Sequence, residues 1–537
     1  MLESTFDNSN CVSCSSVALD MPPLEPIHLN CGAADWLLAG KVASRSALES
    51  AQGSRTFGEV DSASRKLAAF LLELGAKKGD RVLLIADNSS FWVESYLGIL
   101  RAGLVCVPLP ASCSGDDLTF IAQSTTAKIA CVDRKALLRN TKELPQTCIT
   151  DQLPNSFSSP EQEVYTLEHR LGSTLAMAQL PQLCGSDLAA LMFTSGSTGK
   201  PRGVMITHGN IVTNTRSIIE YLNLTANDSI LTVLPFHYCF GTSLLHTHLA
   251  VGGKLVLDNA FMYTEAFLKH LQSSQCTGFA GVPSHYQILL RRSSIHHMSF
   301  PHLRYVQQAG GHMAPAFIRE LCQALPNVKV FVMYGQTEAT ARLAYVPPAM
   351  LEKKIGSIGK AIPGVKLSVV NPSGEPVGIN EIGEIVAEGQ NIAIGYWGEA
   401  AETASSFRDS KLYTGDLATI DEDGFIYIVD RAKDFVKIGG KRTSCRQLEE
   451  QMLEFSETLE VAVIGIPDPI SGEAIKAFVV PRDAKDELFL EKFKDFCAKH
   501  LPSHQIPKEI VQRSALPKNS AGKVLKSVLK NAENMQC

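Results

Sequence analysis

The chain has 537 residues, 45% of them apolar and 20% charged, with a formal net charge of −5. That balance excludes a disordered chain and a single small binding module, and no long basic block offers the electrostatic footprint of a nucleic-acid or anionic-membrane binder. A small-molecule substrate is the default expectation.

The N-terminal MLESTFDNSN has neither the basic n-region nor the apolar h-region of a signal peptide. No apolar run approaches the roughly 20 residues of a membrane helix, and the terminal NMQC is not a prenylation box. Fourteen cysteines are scattered along the chain, with CVSC at Cys11 to Cys14 the one close pair. A lone C-x-x-C does not make a zinc site, and dispersed thiols fit a reducing cytoplasm.

Residues 1–50, which include NSNCVSCSS, are expected to form a loose leader. From about Thr56, short apolar runs alternate with longer amphipathic ones: RVLLIA, SFWVESYLGILRAG, LVCVPLP, DDLTFIAQSTTA, KIACVD. This strand–helix alternation predicts α/β layers of the doubly wound kind, and it continues through LAALMF, ILTVLPF, KLVLD, GFAGVP, RYVQQAG and KVFVMYG. Ligands in such folds gather beyond the carboxyl ends of the strands. After about Pro347 the texture turns to β structure, with GVKLSVV, EIGEIVAEG and LATIDEDGFIYIVD around an Asp423-Gly424 turn, predicting a small β-barrel-like subdomain. The last hundred residues read as a small α+β domain: strands at LEVAVIGIPD and EAIKAFVVP, a helix near LFLEKFKDFCAKHL, and the basic tail PKNSAGKVLKSVLK. The division expected is a large domain over 51–432 and a small one over 433–537.

The stretch TSGSTGKPRGV follows the buried run LAALMF and reads as a phosphate cradle. Thr194, Ser195, Gly196, Ser197, Thr198, Gly199 and Lys200 offer backbone N–H groups, hydroxyls and a cation to one anion. It is not a Walker loop: Thr194 stands where the first Gly belongs, and Pro201 follows Lys200 where a magnesium-binding hydroxyl is required. Further blocks follow in order: LPFHYCFG (234–241), QAGGHM (308–313), YGQTEAT (334–340), YTGDLA (413–418), DRAKDFVKIGGKR (430–442) and PKNSAGK (517–523). In YGQTEAT, Tyr334 offers a flat face for adenine beside Gly335, Thr337 a hydroxyl for an α-phosphate, and Glu338 a hard carboxylate for Mg²⁺. Asp416, after a Gly turn, has the two oxygens that a ribose diol needs, and Arg431 adds a second contact.

Together these blocks resemble the adenylate-forming superfamily, in the branch of acyl-CoA synthetases, coumarate-CoA ligases and luciferases, over roughly residues 55 to 530. The resemblance implies a carboxylic acid activated by ATP and Mg²⁺ as acyl-AMP with release of pyrophosphate, then transferred to coenzyme A. A carrier protein's phosphopantetheine arm is an alternative acceptor, and a catalytically inactive nucleotide-binding protein is the alternative of another class. By resemblance the Thr194–Lys200 loop holds the β- and γ-phosphates, Gly310, Gly311 and His312 border adenine and the acyl pocket, and Lys523 bridges the substrate carboxylate and α-phosphate. Lys433 matches the hinge of a mobile C-terminal domain, while Lys437, Gly439 and Gly440 match the lining of the pantetheine tunnel. His237 stands where amino-acid-activating relatives carry Asp, which disfavours α-amino acids. Cys239, Phe240, Ser243, Gly281, Val282 and Ser284 are small or apolar and suit a fatty or aryl group.

Overall fold

The computed structural model describes residues 29–153, 162–167, 179–195, 201–431, 435–438, 441–468, 472–519, 522, 524–526 and 528–530. The predicted alternation gives two large sheets. In the first, Glu163–Thr166, Thr147–Thr150, Ile129–Val132, Arg81–Ile85, Val105–Leu109 and Leu188–Ser195 run parallel, and Pro201–Thr207 closes the edge antiparallel. The second has nine strands, with a parallel centre ordered Lys329–Tyr334, Tyr305–Gln308, Gly278–Gly281, Ser229–Thr232, Lys254–Leu257 and Ser46–Ser50. Its order reverses at Ser229–Thr232, so a crevice opens beyond the carboxyl ends of that strand and Gly278–Gly281.

The helices between the sheets are buried nearly all round. In Ser90–Arg101 every residue from Phe91 onward is buried, Glu94 and Arg101 included, so the stretch read as amphipathic is enclosed on all sides. Thr56 and Thr207 start their helices through capping boxes with Glu59 and Asn210. One core joins residues of both sheets, Leu84 and Ile230 among them, to Trp92, which stacks on Tyr96 at 5.0 Å.

The loose leader expected over 1–50 does not extend to residues 29–50. Helix Ala33–Leu38 buries Ala33, Ala34 and Leu37 in the main core, and Ser46–Ser50 pairs parallel with Lys254–Leu257. These segments are short, and their polar flanks hide the pattern. The remainder of the expected leader lies outside the described residues.

A five-stranded antiparallel sheet stands where the small β unit is predicted, with Gly383–Gly389 between Val365–Val370 and Lys411–Ile420, and Ile426–Arg431 on the latter. The C-terminal sheet pairs Thr458–Asp468 with Gly472–Pro481 and carries helices Cys445–Leu453 and Phe489–His500. Among the described residues no helix is long and apolar enough to cross a membrane.

Five buried histidines are neutral. Desolvation pushes His237 and His246 down to about 3 and His208, His248 and His285 down to about 4. In the unfolded chain each titrates near about 6.5, so between about pH 6.5 and 4 the unfolded state binds more protons and stability rises with pH. Glu94, pushed up to about 7 by burial, acts in the opposite direction as one group against five. The melting temperature is therefore expected to fall steadily as pH is lowered from about 6.5 to 4.5. A flat profile by calorimetry over that window contradicts the neutral burial of these groups.

Candidate active site

Three parallel strands end side by side: Gly278–Gly281, Tyr305–Gln308 and Lys329–Tyr334. Beyond their carboxyl ends Gly310, Gly311, His312, Tyr334, Gly335 and Asp416 line one open cleft of about 270 Å³. Gly310 has φ +82°, a conformation that an L side chain rarely adopts. At Gly335 a Cβ would stand 2.0 Å from the Ala341 carbonyl oxygen, so the chain can fold back there only without a side chain. Tyr334 donates its hydroxyl to Asp416 Oδ2 at 2.6 Å, aiming a buried carboxylate at the cleft wall. Arg431 lies opposite Asp416 in the neighbouring strand.

Directly after Gly335 the turn Thr337–Ala339 presents Thr337 and Glu338. The Thr337 hydroxyl donates to Cys239 Sγ at 3.5 Å, which joins YGQTEAT to LPFHYCFG across the crevice. Glu338 Oε1 accepts the Tyr396 hydroxyl at 2.9 Å. Tyr396 in turn lies under the Arg202 guanidinium, 5.9 Å from its ring centre, and so links the end of the phosphate-loop stretch to Glu338. Burial, then the neighbouring Glu338 charge, raise the Tyr396 phenol, so it stays a hydrogen-bond donor. Asn391, fully buried, accepts the Thr340 hydroxyl at 2.7 Å and donates to the Ala339 and Arg342 carbonyls. Tyr396 and Asn391 belong to no block that sequence reasoning singles out, and their spacing from the turn carries no local signal.

The predicted acyl-pocket residues fall into two groups. Val282, Ser284 and Gly310 meet at the junction of the two domains, where the Ser284 hydroxyl donates to the Gly522 carbonyl at 3.0 Å. Gly281 ends the strand before them, its own Cβ position 3.1 Å from Tyr286. Cys239 and Ser243 instead face a void inside the large domain. Phe240 stands between the groups with the Arg342 guanidinium 4.6 Å from its ring centre. His237 is buried and neutral, beside the Tyr238 ring at 4.4 Å.

The C-terminal helix Cys445–Leu453 closes the cleft from outside. Arg446 donates to His312 Nδ1, and Nε2 stands 2.6 Å from Glu450 Oε1. Burial, then the Arg446 charge, lower the His312 pKa against the pull of Glu450. Thr194 and Ser195 end the strand Leu188–Ser195, hairpin partners of Arg202 and Pro201, so the cradle joins two strands and not a strand and a helix. The side chains of Ser195, Arg431 and Lys437 lie outside the described residues, as do Gly196, Ser197, Thr198, Gly199, Lys200, Lys433, Gly439, Gly440 and Lys523.

The sequence profile of the AMP-binding enzyme family matches residues 38–397, and that of the AMP-binding enzyme C-terminal domain matches 447–523. The chain belongs to the AMP-binding enzyme family. It is 31% identical to a feruloyl-CoA synthase of Amycolatopsis over 478 residues, covering 88% of this chain and 92% of the relative. It is 29% identical to a long-chain-fatty-acid–CoA ligase of Salmonella typhimurium over 506 residues, covering 89% of this chain and 90% of the relative. Among solved structures it is similar to an anthranilate CoA ligase in complex with anthranoyl-AMP, with a TM-score of 0.87 and 23% identity over 95% of this chain and 98% of that one. This likeness establishes the shared fold.

Within an AMP-binding enzyme the Tyr396–Glu338 bond has a measurable consequence. Tyr396→Phe keeps the ring and removes the donor, and a single hydrogen bond to a charged group is worth about 1.5 to 3 kcal/mol. Adenylate formation is expected to slow by roughly tenfold or more, with the melting temperature lowered by no more than a few degrees. An unaltered rate means that the hydroxyl does not orient Glu338.

Proposed function

We propose that the chain is an AMP-forming acyl-CoA synthetase. It activates a hydrophobic carboxylic acid, fatty or aryl, as acyl-AMP with release of pyrophosphate, and passes the acyl group to coenzyme A. The observation that carries this reading is the place of the Thr337–Glu338 turn. It lies between a cleft with a ring face and a diol-accepting carboxylate on one side and the pocket-facing Cys239 on the other. An acid entering past Cys239 meets the α-phosphate of a nucleotide held by Tyr334 and Asp416.

The carboxylate oxygen attacks the α-phosphorus while the bond to pyrophosphate breaks. Two anions approach each other, so positioning and charge neutralisation supply most of the catalysis. Thr337 donates to an α-phosphate oxygen, and Lys523 bridges that phosphate and the carboxylate. Gly522, its neighbour, already bonds Ser284 at the pocket mouth, which supports the assignment. The Thr194–Lys200 loop holds the departing phosphates, and Arg431 assists Asp416 at the ribose.

Mg²⁺ fits the donor set. Glu338 is a hard carboxylate oriented by Tyr396, and among the described residues no three-ligand His, Cys, Asp or Glu cluster competes for a cation. Glu338 would hold such an ion, which when bound would supply neutralisation of phosphate charge. A neutral His237 leaves no fixed anion to pair with an α-ammonium group, which supports a hydrophobic acid over an amino acid.

In the second step the coenzyme A thiol attacks the acyl carbonyl and AMP leaves. Lys433 serves as hinge between a large domain and the C-terminal domain, and Lys437 with Gly439-Gly440 lines the thiol's approach. A carrier protein's pantetheine arm would use the same approach. The dispersed distribution of the cysteines along the chain fits a cytoplasmic enzyme.

The test is pyrophosphate exchange into ATP across a panel of fatty and aryl acids, followed by thioester formation with coenzyme A. Exchange with at least one acid and a coenzyme A thioester are expected, and no exchange with any acid overturns the reading. Lys523→Ala is expected to lower adenylate formation by about 100-fold or more, the scale of losing one charge-stabilising donor. It is expected to spare thioester formation from preformed acyl-AMP, and equal loss of both steps removes Lys523 from its role.

A further inference from the structure

Arg342 is 1% exposed, and none of the chemistry above uses its charge. Its backbone packs directly behind the Thr337–Ala339 turn: a Cβ at Gly335 would stand 2.8 Å from the Arg342 Cα, and the N–H of the next residue, Leu343, bonds the Tyr334 carbonyl at 2.9 Å. The residue is thus anchored where strand Lys329–Tyr334 ends and the turn begins. From there its guanidinium lies over the Phe240 ring, 4.6 Å from the centre.

A guanidinium stays charged inside a protein, so its burial calls for an anion or a full set of acceptors. Arg342 has neither. Its Nε and Nη2 reach no acceptor, and among the described residues no carboxylate pairs with it. The polar groups nearby do not fill the gap. Asn214 and Asn391 both donate their amides to its backbone carbonyl, at 3.0 and 3.1 Å. The Tyr221 oxygen faces the guanidinium, while its hydroxyl donates to Met333 Sδ at 3.1 Å. Glu338, the carboxylate of the adjoining turn, accepts the Tyr396 hydroxyl instead. A buried cation without its anion destabilises the free protein, and local rules of this kind are broken chiefly at functional sites.

The field of that cation falls on the place where anions gather. Phe240, which it covers, adjoins Cys239, and Thr337 donates to Cys239 Sγ at 3.5 Å. Burial raises the Cys239 thiol, the Thr337 hydrogen bond and then the Arg342 charge pull it back, and the Glu338 charge pushes it up, so the sulfur senses both charges. We propose that Arg342 is the buried counter-charge of the reacting end, stabilising the α-phosphate and the acid's carboxylate at Thr337 from behind Phe240. It acts through space as a positioning charge, and no bond is made or broken at it. Its effect on the carboxylate rests on the ligase reading above, while its effect on the phosphate requires only that the cleft hold a nucleotide. At the effective dielectric of about 20 that suits such sites, a unit charge on the order of 10 Å from an anion shifts its binding by roughly tenfold.

The affinities of the full-length enzyme for AMP and for adenosine are measured by calorimetry. Both present the same base and ribose to the cleft, and only AMP carries the phosphate, so the ratio of the two reads the charge and partial loss of folded protein cancels. In Arg342→Met, which keeps the bulk and removes the charge, the preference for AMP is expected to fall by roughly tenfold. In Arg342→Lys, which keeps the charge, it is expected to be largely retained. Pyrophosphate exchange with the best acid of the panel is expected to fall in Arg342→Met by about tenfold or more and to recover in part in Arg342→Lys. The ligand-free melting temperature of Arg342→Met is expected to stay level or rise, because an uncompensated buried charge is removed. An AMP preference unchanged in Arg342→Met, because both affinities hold or both fall alike, overturns the inference. So does a melting temperature lowered by more than a few degrees, which makes Arg342 a structural residue. Absence of exchange with every acid overturns the ligase reading, and the AMP preference still decides the charge at Arg342.

Discussion

Thr340 has φ +67° and ψ −45°, a backbone state that a β-branched residue rarely adopts and that costs on the order of 1–3 kcal/mol. The Ala341 N–H bonds the Ala339 carbonyl at 2.8 Å, closing a three-residue γ-turn at this point. Asn391 clamps the turn from the loop after strand Gly383–Gly389, and Gly335 gives the returning chain room at Ala341. Remove the clamp and the chain relaxes toward ordinary torsions. Thr337 and Glu338 would then lose their fixed position relative to the strand ends. The reacting geometry therefore depends on a contact whose other half, Asn391, lies outside every recognisable block.

The domain junction is built differently. Leu448 and Met452 of the C-terminal helix share one apolar cluster with Phe317 and Ile318 of the large domain. Above that layer His312, Arg446 and Glu450 form one hydrogen-bonded group. Burial works against the Glu450 charge, but His312 and Arg446 together hold its carboxyl below the usual range. The outer pair Arg319–Glu454, at 3.0 Å, has both side chains about half exposed and adds little. An apolar layer with a polar rim resembles the interfaces between transient partners. That composition suits a domain proposed to present one edge for adenylation and another for thioester formation.

Much of the site was legible because α/β folds place ligands at strand ends, and the unusual residues of this sequence cluster where apolar runs stop. Tyr334 and Gly310 follow directly from that rule, whereas Asp416 lies within the antiparallel strand Lys411–Ile420 and was read from the Gly that precedes it. Tyr396 and Asn391 were not legible, because their partners are about 50 residues away and their own segment, NIAIGYWG, reads as ordinary turn structure. The same holds for Arg446, whose role depends on helix Cys445–Leu453 facing His312. The predicted acyl pocket illustrates a subtler failure. Helix periodicity turns Cys239 and Ser243 inward, while the chain after Gly281 runs out toward Gly522, so one expected wall became two. Residues 33–50 misled for a third reason, since one short helix and one short strand carry too few residues to show a period.

Cys239 marks where the two requirements meet. At the Thr337 end two anions must approach, and any additional negative charge raises the cost of bringing them together. Burial, the largest influence, pushes the Cys239 thiol up, so it remains neutral beside Thr337. A carboxylate in its place would repel both substrate and phosphate, and a large side chain would fill the space beside Ser243. A small neutral residue meets both demands.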